Sequence, residues 1–114
     1  MRIDVGKLDR RISIYRKIEI ENELGEIEQN TEKVATVWSE VKGMRGYEKM
    51  DKVGNISSKE ILRVVIRYRK NIDVATEIEY QKKRYDITSV VELGREEYLE
   101  LTCEGKDKKD EYRD

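Results

Sequence analysis

The sequence carries a period-two alternation of apolar and polar residues that returns several times along the chain, and it fixes the kind of backbone this chain can use. From Arg10 to Ile20, Ile12, Ile14, Ile18 and Ile20 fall on one side of an extended backbone, with Ser13, Lys17 and Glu19 on the other. That is the pattern of a half-buried strand. Arg16 interrupts the apolar side and marks a bulge or a partner contact. Lys33 to Lys42 (KVATVWSEVK) reads as a second strand. Val34, Thr36 and Trp38 share one face, and Ala35, Val37 and Val41 the other. Apolar residues on both faces leave its inward side open. Ile61 to Arg69 (ILRVVIRYR) is the most strand-like stretch. It sets Leu62, Val64, Ile66 and Tyr68 against Arg63, Val65, Arg67 and Arg69.

Three shorter runs follow. Thr76 to Tyr80 and Tyr85 to Val91 read as a hairpin whose four-residue polar turn, Gln81 to Arg84, presents Lys82, Lys83 and Arg84; Tyr80 and Tyr85 are expected to pair across it. Glu97 to Glu104 alternates again, with Leu99, Leu101 and Cys103 on the apolar side. No strand–helix–strand spacing occurs. The expected fold is therefore mainly β, a small antiparallel β-barrel or sandwich of five to six strands. Its expected core is Ile12, Ile14, Trp38, Val64, Ile66, Tyr68, Ile78, Ile87, Leu99 and Leu101.

Two stretches stand outside the alternation. Glu21 to Thr31 is polar and reads as a connection containing a turn. Gly43 to Lys59 reads as one long loop that can hold a short helix, because Tyr47, Met50 and Val53 recur at steps of three between Gly46 and Gly54. Its candidate functional residues are Gly43, Arg45, Gly46, Tyr47, Glu48, Lys49, Lys52 and Gly54. Residues 1–105 are read as one domain, followed by a charged tail over 106–114 that is frayed or ordered by a partner.

Composition narrows the function. Of 114 residues, 43% are charged and only 37% hydrophobic, so the core is thin. The 24 basic and 25 acidic residues nearly cancel, which argues against a dedicated nucleic-acid binder and fits self-association. Histidine is absent and there is a single cysteine, which removes imidazole metal sites, Ser-His and Cys-His dyads and any Cys-based metal cluster. There is no phosphate loop, nucleophile elbow or zinc spacing. Carboxylate pairs such as Glu96-Glu97 are solvated surface. The chain is therefore expected to be no enzyme and to need no cofactor. No apolar run reaches the ~18–20 residues of a membrane span, and a reducing cytoplasm is expected during synthesis. The basic residues Arg63, Arg67, Arg69, Lys82, Lys83 and Arg84 could face DNA phosphates, a neighbouring subunit's carboxylates, or solvent.

Taken in order, several short motifs carry a resemblance. They are Gly6-x-Leu8-x-x-Arg11-Ile12-x-Ile14, Gly25, Val34-Ala-Thr-Val-Trp38-Ser-Glu-Val41 and Gly46-Tyr-Glu48. Further on come Ile66-Arg67-Tyr68-Arg69, Ile72, Ile78-Glu-Tyr80, Tyr85-Asp86-Ile87 and Tyr98-Leu99-x-Leu101-x-Cys103. In order and spacing they resemble the head-tail joining proteins of tailed bacteriophages, also called head-closure, stopper or head-tail adaptor proteins. The resemblance implies a small β-barrel with long loops that works in the virion at the head-tail interface, after assembly in the host cytoplasm. It implies as partners a portal or head-tail adaptor protein, a tail or tail-completion protein, packaged DNA, and copies of itself in a ring. The ring would be a dodecamer in the virion, with a monomer possible in isolation, and no membrane is involved. The segment from Gly43 to Lys59 would then be the channel-facing or gating loop. The alternative reading is an OB- or SH3-like nucleic-acid-binding barrel that stacks bases on Tyr68, Tyr80 and Tyr85.

Overall fold

The computed structural model describes residues 5–50 and 56–106. Six strands make one sheet: β1 (Arg10–Glu21), β2 (Ile27–Met50), β3 (Ile56–Arg67), β4 (Thr76–Tyr80), β5 (Lys83–Leu93) and β6 (Tyr98–Gly105). They are ordered β1-β2-β3-β6-β5-β4, and β4 returns to β1 to close the sheet. Every neighbouring pair is antiparallel. Closure leaves no free sheet edge on the barrel wall, which suits a chain with little apolar material to cover one.

The inward positions follow the period-two rule. Ile12 and Ile14 of β1, Leu62, Val64 and Ile66 of β3, Ile78 of β4, Tyr85 and Ile87 of β5, and Leu99, Leu101 and Cys103 of β6 form one buried cluster. Val37, Val41 and Tyr68 pack against it from the side. On β2 the inward residues are therefore the odd-numbered ones. Trp38 turns outward and is 53% exposed, which corrects its expected place in the core. With apolar residues on both faces of β2, alternation alone could not choose the inward side. Ser39 is fully buried at the seam where β2 passes from β1 (partner Arg10) to β3 (partner Ile66). Its hydroxyl donates to the Arg10 carbonyl at 2.9 Å.

β2 is 24 residues long. At about 3.3 Å per residue it would span about 79 Å if straight, yet the longest dimension of the molecule is 51 Å. The strand must bend, and two bulges supply places for it to do so. Val34 is an extra residue between the pairs Ala35–Ile14 and Lys33–Tyr15. Arg45 and Gly46 together stand opposite Glu60 alone. A third bulge lies at Thr88 of β5.

The two polar stretches are strand, not loop. β2 begins at Ile27, so the first connection is only a turn, and β2 and β3 continue through Gly43–Met50 and Ile56–Lys59. The short helix expected around Tyr47 and Met50 is replaced by ladder pairs Tyr47–Lys59 and Met50–Ile56, while Lys52, Val53 and Gly54 lie outside the described residues. These segments hide their strand character for one reason. They extend past the closed barrel, where each strand pairs with one neighbour instead of two, so the barrel core does not select an alternating apolar side. The same departure explains Ile18 and Ile20. Both were expected beside Ile12 and Ile14, but β1 last pairs with β4 at Arg16, and Ile20 is exposed.

The β4–β5 hairpin is also tighter than expected. Tyr80 pairs with Lys83, leaving a two-residue turn at Gln81 and Lys82, both with positive φ (52° and 66°). That is the type I′ geometry matched to strand twist. Lys83 and Arg84 belong to β5, and Tyr85 stands opposite Ile78 rather than Tyr80.

Candidate functional site

Two antiparallel ribbons project from the barrel, and β2 is shared by both. Beyond Arg16, β1 pairs only with β2, giving a ribbon over 17–33. Before Ile61, β3 pairs only with β2, giving a second ribbon that starts near Gly43. Because one strand runs through both, they leave the barrel at opposite ends of β2. The candidate loop residues Gly43, Arg45, Gly46, Tyr47, Glu48 and Lys49 all sit on the β2 side of the second ribbon.

The tip of the first ribbon is built by Asn22. Its backbone N–H donates to the Glu26 carbonyl at 2.8 Å. Its side-chain oxygen accepts from the N–H groups of Leu24 and Glu26, both at 2.9 Å. Gly25 takes φ +80°, a conformation that a side chain would strain. This tip is acidic and apolar together. From Ile18 to Glu32 there are six glutamates and no lysine or arginine. Leu24 is 83% exposed and Ile27 61%.

On the outer wall, the register aligns Arg11 of β1, Trp38 of β2, Arg67 of β3 and Tyr98 of β6. The Arg11 guanidinium lies 4.9 Å from the centre of the Trp38 ring, a cation–π contact. The leader crosses here. Gly6 lies so close to the Glu40 carboxylate that a Cβ would collide with it. Gly6, Leu8, Asp9, Trp38, Arg67 and Tyr98 line an open depression of about 550 Å³.

The basic residues singled out in the sequence do not form one surface. Arg63 is held by Glu100, with Nε at 2.7 Å and Nη2 at 2.6 Å from one carboxylate oxygen, and by Glu40 at 3.6 Å. Arg84 stacks over Tyr15 at 3.5 Å and contacts Glu77 at 3.3 Å and Glu79 at 3.8 Å. Lys83 faces Glu60 at 3.9 Å. Arg69 lies past the end of β3, beside a second depression that includes Tyr68 and Ile72, and Lys82 sits at the hairpin turn. Arg67 is exposed and has no carboxylate partner among the described residues. The cross-strand ion pairs consume Arg63 and Arg84, and each is modest because its groups remain partly solvated.

Glu77 is buried and satisfied, accepting from Arg84 and from the Lys106 ammonium at 3.0 Å. The Tyr85 hydroxyl donates to the Glu60 carboxylate. Burial, reinforced by that carboxylate, pushes its pKa well up. Burial likewise pushes the Cys103 thiol up to about 12. Neither group is poised for chemistry near neutral pH.

Sequence reasoning missed the glutamate-rich tip and the outward Trp38 row. A signal for the tip was present, in six glutamates without a cation around Leu24 and Ile27. The Trp38 row emerges only once the register is known.

Comparison with known proteins agrees with this architecture. A chain of the virion of a native gene transfer agent particle superposes with a TM-score of 0.67 at 16% identity, over 90% of this chain and 96% of that one. Protein SF1141 of Shigella flexneri 2a, solved in solution, superposes with a TM-score of 0.68 at 22% identity, over 94% and 100%. No curated protein sequence matches. The family profile described as phage head completion protein matches residues 3–106. The chain belongs to that phage head completion family, whose members are structural proteins of the virion and not enzymes.

Proposed function

We propose that this protein joins the DNA-filled phage head to the tail. Copies form a ring, dodecameric in the virion, against the portal or head-tail adaptor protein. The ring continues the DNA channel, helps retain packaged DNA, and offers its far face to the tail or tail-completion protein. Residues 1–105 act as the connector unit, and the charged segment 106–114 is ordered by a partner. The protein enters the virion after assembly in the host cytoplasm. Family membership across residues 3–106 carries this reading. The second ribbon supports the gating part, because a two-stranded arm projecting from a closed barrel can reach into a channel while the barrel holds its place. Gly46, set in a bulge, gives that arm a bending point.

The nucleic-acid-binding alternative is weakened by its own residues. Arg63 and Arg84 are engaged with carboxylates, and Tyr85 is buried where no base can stack on it. Free DNA is therefore expected to bind weakly. An affinity that fell with salt at a slope of roughly 0.7–0.9 per phosphate would favour the alternative instead.

Electron microscopy of particles made without this gene tests the main reading. The expected particles are tailless heads that have lost DNA; tailed, DNA-filled particles would overturn it. The gating part is tested separately by replacing residues 45–60 with a two-residue Asn-Gly turn, which keeps the Met44–Ile61 pair as its base. The barrel should still fold, while DNA retention fails. Full retention would remove the gating role.

A further inference from the structure

We infer that the acidic tip of the first ribbon of one copy docks, head to tail, into the Trp38–Arg67–Tyr98 depression of the next copy; this rests on the ring reading above. The two surfaces match in both chemistry and shape. The tip offers Leu24, 83% exposed, and Ile27, 61% exposed, amid Glu19, Glu21, Glu23, Glu26 and Glu28. None of these glutamates has an ion-pair partner among the described residues. The depression offers the apolar faces of Trp38 and Leu8 beside Arg11 and Arg67, with Asp9 also on its lining; neither arginine is paired with a carboxylate among the described residues. An apolar residue flanked by carboxylates therefore meets an indole flanked by guanidinium groups, which gives the contact both its attraction and its register.

A copy cannot satisfy itself. Ile27 and Trp38 lie eleven residues apart on the same strand, at most about 36 Å at 3.3 Å per residue, and the first ribbon carries Ile27 away from the barrel wall that holds Trp38, so the occupant comes from another molecule. The donor and acceptor surfaces differ, and the contact is heterologous, the type that generates rings when its rotation closes. A turn of about ten residues covers much less than the ~800 Å² per partner of a stable dimer. Copies in dilute solution should therefore stay apart and join where a template raises their local concentration.

The test uses phage particles assembled in cells whose only copy of this gene carries Leu24→Cys and Arg67→Cys, both at exposed positions. Buried Cys103 stays out of the reaction. Mild oxidation should give a ladder of linked chains extending beyond dimers, absent from either single variant. Normally joined particles that contain the chain yet show no ladder, or a ladder stopping at dimers, would overturn the docking and leave the head-tail reading intact. Normally joined particles lacking the chain would overturn the head-tail reading itself. A second arm reverses charge. Arg11→Glu with Arg67→Glu should lower infectious titre by at least about tenfold. Adding Glu21→Arg and Glu23→Arg should restore it. Two losses that merely add would count against the docking.

Discussion

Cys103 and Trp38 mark the two extremes of side-chain environment in this barrel. Cys103 is fully enclosed, opposite Leu62 on one side and Ile87 on the other. Its thiol should resist aromatic disulfide reagents at pH 8 in the native chain and react at once after denaturation. Burial raises its pKa from 9.0 in an open chain to about 12 in the fold. The native state thus keeps a proton that the unfolded chain gives up. Stability should be unaffected by this group below about pH 9 and fall as pH rises from 9 towards 12, by at most about 1.4 kcal/mol per unit. Denaturant titrations of the native chain and Cys103→Ala across that window would measure the slope, which the variant should lose in part. Trp38 is the opposite case. Half-exposed, it should cost less than about 1 kcal/mol of stability when changed to Ala, whereas Ile14→Ala at a fully buried site should cost about 2–5 kcal/mol. Urea midpoints for the two variants separate an outward tryptophan from a core one. Most inward residues were legible from alternation, Ile12, Ile14, Val64, Ile66, Ile78, Ile87, Leu99 and Leu101 among them. Trp38 was not, because hydrophobicity without a one-sided pattern carries no direction.

At the scale of elements, legibility follows contact with the core. Strands lining the barrel announce themselves, since burial on one face forces a period of two. The ribbon halves of β1, β2 and β3 lie outside the closed barrel, each paired on one side only, and keep no such record, so Glu21 to Thr31 and Gly43 to Lys59 read as loops. The turn at Gln81 and Lys82 hides for another reason. Neither residue is the Asn or Gly that usually signals left-handed geometry, and three adjacent cations suggest a broad polar loop. That mismatch is correctable. Gln81→Asn with Lys82→Gly should raise stability by about 1 kcal/mol without changing the fold, seen as a higher urea midpoint at constant m. A lower midpoint would show that the lysine side chain matters more than the backbone. The candidate segment from Gly43 is read from sequence as a loop with a short helix, whereas its described part is a two-stranded ribbon in which Gly46 sits in a bulge rather than at a helix end.

Across the whole molecule, the barrel is held shut at places far apart in sequence. Ile14 pairs with Ile78, and Lys106 fastens the end of β6 by donating its backbone N–H to Arg84 and its ammonium to Glu77. Glu77→Ala would leave two cations without their buried acceptor, and unfolding free energy should drop by about 1–3 kcal/mol. Glu77→Gln, which keeps an acceptor oxygen, should lose less. Equal losses would mean that the charge, not the hydrogen bonds, fastens this seam.

The unbroken path of β2 has a mechanical consequence. A strand that is at once the wall of the barrel and one leg of each ribbon acts as a tie rod. Tension applied along it passes through covalent bonds from one ribbon to the other. The hydrogen bonds beside it lie across that direction, so they are sheared together and resist as a set. Force that peels a hairpin sideways meets them one at a time. The molecule should therefore be stiff under load along β2 and compliant across it.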